Sequence, residues 1–544
     1  MLDFKKSTVY QIYIKSFYDS NGDGIGDLNG IREKLPYLKS LGIDYVWVTP
    51  FFCSPMNDNG YDVSDYYNVN PMFGTMEDAE TLLREAEKLG IGFMFDMVFN
   101  HTSTEHEWFK KALSGDPEYM DYYIFRDNEN GQPPTNWESK FGGNAWEYVK
   151  DLDKWYLHLF DVTQADLNWE NPKVREELKN VIRFWKEKGV KGFRFDVVNL
   201  ISKPEKFEND NEGDGRRFYS DGPRVHEYLK ELVRDTGIKD MVTVGEMSST
   251  SLENCIRYTR PEDEELSMCF SFHHLKVDYL NGDKWALMPP DLKSLRELLK
   301  TWQEKMAENG GWNAVFMCNH DQPRAVSRFG DDGKYRKESA KMLSSLIHLM
   351  RGTPYIYQGE ELGMTNAGFT SIEQYRDVES INYFRILREK GVSEKDALHI
   401  LSLRSRDNAR TPMQWTGGEN AGFSKGEPWL GLPENYMTLN AEAEENDPDS
   451  VLNYYRKLIA LRKKYDVIYD GDISFMDTGN DRVFAFVRTL KGEKLTVFCS
   501  FSAEEESISL KIPEGETLIG NYPDAPAAGA GLRPFETIAV YVRK

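Results

Sequence analysis

Cysteine is scarce in this chain: five residues occur among 544, and no two of them form a CxxC pair. An odd, scattered set of this kind excludes a disulfide framework and a cysteine zinc site. Long apolar runs are missing as well, since no stretch approaches the ~20 residues that span a bilayer. The N-terminal segment MLDFKKSTVYQIYIKSF lacks the apolar core of a signal peptide. We therefore expect a cytoplasmic protein without a membrane partner.

Positive charge is also in deficit. The chain has 67 Lys and Arg against 89 Asp and Glu, a formal net charge of −22. Such a surface repels nucleic acid, so no nucleic-acid partner is expected, and an anionic substrate would need a local cluster of basic residues. With 40% hydrophobic residues the chain has material for a large core. Composition does not indicate an oligomeric state.

Short apolar runs alternate with longer helical patterns along most of the chain, which is typical of βα units around a parallel sheet. Helical patterns are clear at 171–188, 223–236, 292–308 and 336–350. Eight strands in this arrangement predict a (β/α)₈ TIM barrel. The predicted strands are VYQIYI (9–14), YVWVTP (45–50), GFMFDMV (92–98), GFRFDVV (192–198), MVTVGE (241–246), MCFSFH (268–273), AVFMCNH (314–320) and TPYIYQG (353–359).

Three regions depart from this alternation. Residues 101–167 are rich in Trp, Tyr, Asn, Gly and Pro and predict an irregular inserted domain after the third strand. The barrel itself then comprises 1–100 and 168–466, with an extended region at about 360–450 after the eighth strand. From 467 to 544 alternating strands predict a C-terminal antiparallel β domain.

Polar residues concentrate at the ends of the predicted strands, where barrel enzymes carry their catalytic groups. Asp196 ends the fourth strand, Glu246 the fifth, and Asp321 follows the seventh. Any single carboxylate of this kind also fits a salt bridge or a helix cap. Three in this order indicate hydrolysis of a glycosidic bond, which needs one carboxylic acid for the leaving oxygen and one carboxylate at the anomeric carbon. Arg194, two residues before Asp196 on the same strand face, could keep that carboxylate ionised.

The segments DMVFNH, GFRFDVVN, VGEM and NHD resemble the four ordered signature segments of the α-amylase superfamily. The resemblance implies Asp196 as nucleophile, Glu246 as acid/base and Asp321 as the carboxylate that binds ring hydroxyls. It implies no cofactor for catalysis. In the α-glucosidases of this superfamily, residues at matching positions line the pocket for the terminal glucose. They correspond to Asp58 and Tyr61 in NDNGYD, His101, Arg194, His320, and Arg410 in NARTPMQW.

The residue after the predicted nucleophile is Val197. In similar α-glucosidases Val at this position accompanies α-1,6 and other non-1,4 bonds, although a β-branched residue also suits a strand for packing alone. Longer segments, including FGGNAWEY, GDGRRFYSDGPRVHEYL and NHDQPRAVSRFGD, resemble trehalose-6-phosphate hydrolases more than oligo-1,6-glucosidases. This resemblance implies a small phosphorylated disaccharide as substrate, cleaved to glucose and glucose 6-phosphate.

A phosphate would need basic residues on the leaving-group side. The segment FSFHHLKVDYLNGDKW, after the sixth strand, offers Lys276, Lys284 and His273. We predict that the two lysines carry most of the recognition, through charge-assisted hydrogen bonds. The alternative is that both are ordinary solvated lysines. Arg216 and Arg217 in GDGRRFY are a second candidate pair for binding phosphate, but a structural role is favoured for them.

Residues 19–27, DSNGDGIGD, follow the pattern of positions 1 to 9 of an EF-hand-like calcium loop. Residues that can supply oxygen ligands occupy positions 1, 3, 5, 7 and 9 of such a loop, and Gly24 occupies position 6, where the chain turns sharply. The final bidentate Glu is missing, because Gly30 is there. Related α-glucosidases bind a structural Ca²⁺ at such a loop, so we predict one here; the alternative is an Asp/Gly-rich turn. The predicted ligands are Asp19, Asn21, Asp23, the Ile25 carbonyl and Asp27.

Three other functions fit parts of the pattern. An oligo-1,6-glucosidase would use the same chemistry on isomaltose-type ends. A transferase or sucrose isomerase would pass glucose to a sugar instead of water. A non-catalytic relative, such as the ectodomain of an amino-acid transporter heavy chain, would carry a membrane span and lack the carboxylates that this chain retains.

Overall fold

The computed structural model describes residues 3–524 and 531–543. Its centre is a sheet of eight parallel strands in which sequence neighbours are spatial neighbours. The last strand pairs with the first, Tyr355 lying opposite Val9, and a bridge between Cys269 and Asn313 joins the sixth to the seventh. The predicted (β/α)₈ barrel is confirmed. Its strands are β1 Val9–Ile12, β2 Tyr45–Val48, β3 Gly92–Met97, β4 Gly192–Phe195, β5 Val242–Met247, β6 Met268–Ser271, β7 Ala314–Val315 and β8 Thr353–Tyr357.

Helices cover the outside of the barrel because each buries an apolar stripe against the strands. Local sequence sets where they begin. Thr75 and Asp78 form a capping box, and Asn171 caps the helix that opens with Pro172. The covering helices are Leu28–Glu33, Leu35–Leu41, Met76–Lys88, Pro172–Glu187, Val225–Thr236, Leu252–Thr259, Leu292–Glu308, Arg336–Leu349 and Val451–Lys464.

Most strands end earlier than their apolar runs predict. The strand predicted at 192–198 ends at Phe195, and Val197 has φ 33°, a left-handed conformation that a β-branched residue rarely adopts. The run predicted at 314–320 contributes only Ala314–Val315 to the ladder. In both places the chain leaves the sheet where it presents polar residues to the barrel mouth.

The insertion between β3 and the helix Pro172–Glu187 contains more regular structure than its composition predicts. Its hydrophobic cluster joins Trp137 and Trp146 to Val197, Leu200 and Tyr219, which follow β4. The insertion is therefore anchored on the loop after the fourth strand. Its elements are the paired strands His101–Ser103 and Gln164–Asp166, the three-stranded sheet Phe125–Asp127, Lys154–Leu157 and Trp146–Val149, and the helices Glu107–Leu113 and Pro117–Met120.

After β8 the chain forms further helices and then a five-stranded antiparallel sheet. Arg488 fixes this sheet to the barrel, because its buried guanidinium donates to the carbonyls of Leu349 and Ile468 at 2.9 and 2.6 Å. None of the helices in the described parts of the chain has the length and apolarity to cross a bilayer. The helices are Val378–Glu389, Glu394–Arg404, Asp407–Arg410, Ala441–Asn446 and Asp466–Tyr469, and the strands Asp472–Met476, Val483–Leu490, Glu493–Ser500, Glu516–Gly520 and Thr537–Arg543.

Candidate active site

Arg194 lies at the centre of the barrel mouth and holds three carboxylates. It lies opposite Asp96 of β3, and its Nη1 is 2.6 Å from Asp96 Oδ1 and 2.7 Å from Asp196 Oδ1. Its Nη2 pairs with Glu246 at the end of β5. The ladder registers of three adjacent strands thus bring Asp196 and Glu246 to one guanidinium. The sequence predicted the Arg194–Asp196 pairing but not that Arg194 also contacts Asp96 and Glu246.

Asp196 is buried, and its surroundings set its charge. Burial raises the pKa of Asp196 to about 7, while Arg194 favours the charged form and Asp96 and Asp321 oppose it. The Arg194 pair prevents a larger rise. Asp196 is an anion above about neutral pH, and this is the form that can attack a carbon.

Asp321 is held as an anion by cations from the region after β8. Arg410 Nη2 lies 2.6 Å and Arg406 Nη1 3.4 Å from Asp321 Oδ1. Burial alone would raise the pKa of Asp321, but the charges of Arg406 and Arg410 outweigh it and keep that pKa well below its usual range. A carboxylate fixed in this way can accept hydrogen bonds from two sugar hydroxyls.

His320 presents one ring nitrogen to the site. The side-chain amide of Gln11 lies 2.7 Å from His320 Nδ1, and as the donor it leaves the ring hydrogen on Nε2. Nε2 is buried without a hydrogen-bond partner among the described residues. Burial lowers the pKa of His320 to about 3, so the ring is neutral. His320 can therefore donate to a sugar hydroxyl, with Gln11 fixing the tautomer.

The other predicted pocket residues form one network beside Asp196. The Tyr61 hydroxyl donates to Asp96 at 3.0 Å, and the Tyr61 carbonyl is 3.1 Å from His101 Nε2. Arg406 Nη2 is 3.1 Å from Asp58 Oδ1. Burial lowers the pKa of His101 to about 4 and raises that of Asp58 to about 7, against the pull of Arg406 and Arg410. The structure brings together all six residues predicted to bind the terminal sugar.

A cavity of about 230 Å³ opens over these groups. Glu246, Asp321, Arg406 and Val197 line its floor, beside Phe141 and other aromatic rings. The remaining lining residues are Lys140, Phe160, Ser248, Ser249, Phe272, Leu275, Lys276, Tyr279, Lys284, Gln322 and Glu379. Because Glu246 faces it, the cavity can hold the sugar that departs from the anomeric carbon.

The three residues predicted to bind phosphate lie in different surroundings. Lys276 lines the cavity with an exposed side chain. Lys284 also lines it, but its ammonium group is 2.6 Å from Glu379 Oε2 in a largely buried pair. His273 stacks on Trp302 with ring centroids 4.5 Å apart and is not a lining residue. Their roles stay predictions.

The predicted calcium loop folds around its own carboxylates. Asp19 Oδ2 accepts from Gly24 N at 2.7 Å, and Asp27 Oδ1 accepts from Gly30 N at 2.7 Å as a helix cap. Asp23 Oδ1 accepts from Ile25 N. Within 3–524 and 531–543, no three His, Cys, Asp or Glu side chains form a group that could hold a metal ion. The carboxylates thus serve the loop as it stands, and calcium stays a prediction.

Several site residues were missed by the sequence interpretation. Arg406 joins Asp58 and Asp321 and lies 2.5 Å from Asp377. The sequence did contain a signal for Arg406: it precedes Arg410 by four residues, a spacing that places two side chains on the same face of a helix. Asp377, the cap of the helix Val378–Glu389, and Lys140 of the insertion carry no recognisable motif.

The whole arrangement can act on a glycosidic bond: a carboxylate nucleophile, a second carboxyl group facing the leaving side, and a third carboxylate among hydroxyl-binding groups. Residues 11–471 match the model of the alpha amylase catalytic domain.

Individual relatives match over nearly their full length. The trehalose-6-phosphate hydrolase of Bacillus subtilis (strain 168) is 53% identical, covering 99% of this chain and 98% of that protein. An oligo-1,6-glucosidase of Parageobacillus thermoglucosidasius is 48% identical over 99% of both. The crystal structure of Bacillus licheniformis trehalose-6-phosphate hydrolase has 54% identity and a TM-score of 0.95, covering 99% of this chain and 100% of that one.

Proposed function

This chain belongs to the alpha-amylase family of glycoside hydrolases, and from that premise we propose that it hydrolyses trehalose 6-phosphate to glucose and glucose 6-phosphate with retention at the anomeric carbon. The observation that carries the proposal is that one guanidinium, that of Arg194, binds both Asp196 and Glu246. Two carboxyl groups so close favour a covalent intermediate over direct attack by water, which needs a wider gap.

The reaction follows from the positions of these groups. Glu246 donates its proton to the α-1,1 oxygen while Asp196 attacks the anomeric carbon, so that glucose 6-phosphate leaves and a glucosyl ester remains on Asp196. Glu246, now a carboxylate, takes a proton from water, which attacks the same carbon and releases glucose and Asp196. Asp321 and neutral His320 bind the hydroxyls of the ring that becomes the intermediate.

The choice of a phosphorylated leaving group rests on charge at the cavity. In a chain of net charge −22, three lysines line the cavity that Glu246 faces: Lys140, Lys276 and Lys284. An ammonium group provides charge-assisted hydrogen bonds to phosphate and none that a neutral isomaltose requires. The similarity to two trehalose-6-phosphate hydrolases at 53% and 54% identity supports the same choice.

Initial rates on trehalose 6-phosphate, trehalose and isomaltose test this proposal. We expect kcat/KM for trehalose 6-phosphate to exceed the other two by at least about 100-fold, because two charge-assisted hydrogen bonds distinguish the substrates. Equal or faster cleavage of isomaltose would instead identify an oligo-1,6-glucosidase. Product analysis for transferred glucose in the same reactions separates hydrolysis from sugar transfer.

The pH dependence of kcat/KM should report the ionisation of Asp196. Burial raises the pKa of Asp196 to about 7, and only its deprotonated form attacks. We expect kcat/KM for nitrophenyl α-glucoside, which has no phosphate to titrate, to fall as the pH drops below about 7, approaching tenfold per pH unit. A profile that stays flat down to pH ~5 would contradict this, since the pKa would then lie near the ordinary range of Asp.

Calcium at residues 19–27 is a separate proposal that rests on the sequence pattern. The loop is part of the connection after β1, whose Asp19 side chain also accepts a hydrogen bond from Ser424, so an ion there would tie this connection to the region after β8. We expect a chelator to lower the melting temperature by several degrees and calcium to restore it. An unchanged melting temperature would show that residues 19–27 bind no structural calcium ion.

A cytoplasmic location also remains a proposal. It is supported by the five cysteines, each of which is a free thiol, because disulfides are usual in oxidising compartments.

A further inference from the structure

A lysine from the insertion reaches the leaving-sugar side of the cavity. Lys140 follows the buried Ser139, and its Nζ is 3.2 Å from Ser248 Oγ. Ser248 lies two residues after Glu246, the group that protonates the leaving oxygen. Lys140 and Lys276 line the same cavity as Glu246. The two lysines come from different segments, one from the insertion and one from the loop after β6.

The lysines of this cavity differ in how their charge is compensated. Lys284 is 2.6 Å from Glu379, a carboxylate that Arg406 also approaches at 3.5 Å. Lys140 has only a hydroxyl partner, and within the described ranges neither it nor Lys276 has a carboxylate within ion-pair distance. The charge of Lys284 is thus already compensated by Glu379, whereas Lys140 and Lys276 are available to bind an anion.

The electrostatics around Lys140 favour the binding of an anion. Burial, together with the nearby charges of Arg216 and Lys276, lowers the pKa of Lys140 to about 7, while Asp214 and Asp166 oppose this shift. Arg216 is itself bound by Asp214. Clustered cations without a counter-charge are unfavourable, and an anion bound among them removes the repulsion.

From this geometry we propose that Lys140 determines specificity by binding, with Lys276, the phosphate of the leaving glucose 6-phosphate. The proposal rests on the function proposed above and deepens it. It also alters the prediction from sequence, in which Lys284 had a leading part. The inserted segment then supplies a phosphate ligand, so recognition of the substrate depends on both sides of the cavity.

The test compares Lys140→Met with two matched variants that remove the same charge. Lys284→Met affects the same cavity, and Lys150→Met affects an exposed lysine of the insertion that does not line it. The measured quantities are kcat/KM for trehalose 6-phosphate and for nitrophenyl α-glucoside, and inhibition of the second reaction by glucose 6-phosphate and by glucose.

We expect Lys140→Met to lower kcat/KM for trehalose 6-phosphate at least about tenfold more than that for the aryl glucoside, and to weaken inhibition by glucose 6-phosphate by a similar factor. Lys140→Arg should recover most of the loss. Lys150→Met should leave the ratio of the two kcat/KM values unchanged, and Lys284→Met should change it less than Lys140→Met.

Binding should also take up protons. Near pH 7 part of the Lys140 population is neutral and becomes charged when phosphate binds, so titration calorimetry with glucose 6-phosphate in two buffers should show uptake that Lys140→Met abolishes. If the original enzyme prefers the phosphorylated sugars and Lys140→Met retains that preference, the inference is wrong and the proposed function stands. If the original enzyme shows no such preference, the proposed function itself fails.

Discussion

Asp196→Ala is expected to lower kcat/KM by at least about 10⁴-fold on every α-glucoside, phosphorylated or not. The loss should be this large because the two neighbouring aspartates are already paired with arginines, and Glu246 acts on the leaving oxygen. Asp321 is engaged by Arg406 and Arg410, and Asp96 is buried against Arg194. Steady-state kinetics on trehalose 6-phosphate and nitrophenyl α-glucoside provide the measurement.

Asp240→Ala, which removes an exposed carboxylate, is the matched control and should leave the kinetics unchanged. Azide added to the Asp196→Ala enzyme should occupy the vacated space and displace the aryl group directly, giving a β-glucosyl azide. Residual activity above about 1% of the original, with the variant still folded by circular dichroism, would rule out Asp196 as the nucleophile.

Glu246→Gln is expected to have an effect that depends on the leaving group. For trehalose 6-phosphate, whose leaving sugar needs a proton, we expect kcat/KM to fall by about 10²- to 10⁴-fold. For nitrophenyl α-glucoside, whose phenolate leaves unaided, the first step should change far less. The measurement is the ratio of the two losses in parallel assays.

Azide again provides the control, but here the expected product has the opposite anomeric configuration to that from Asp196→Ala. It can attack the glucosyl ester on Asp196 without a general base, so it should accelerate turnover of the aryl glucoside by Glu246→Gln and yield an α-glucosyl azide. Equal losses on both substrates, with no response to azide, would mean that Glu246 does not act as the acid/base.

The order of groups along the chain predicted the barrel and the carboxylates at its mouth, because parallel strands present their carboxyl ends at one rim. Asp196 and Glu246 could be placed together once the fourth and fifth strands were recognised. The distances between strands, and therefore the sharing of Arg194, depend on the ladder registers, which no single segment determines.

Partners brought in by tertiary packing could not be predicted. Glu379 lies 95 residues beyond Lys284 in sequence, yet the two side chains form an ion pair. Arg406 meets Asp58 across 348 residues. Such contacts depend on how the long region after β8 folds over the barrel mouth, and local propensity carries no information about that.

Val197 connects the barrel to the inserted segment. It directly follows the nucleophile, adopts φ 33°, and contributes its side chain to the hydrophobic cluster of the inserted segment around Trp137 and Trp146. The residue next to Asp196, the proposed nucleophile, therefore packs directly against the segment that carries Lys140. In an exchange of the insertion between barrels of this family, the residue at position 197 would therefore have to fit the cluster that the new insertion brings.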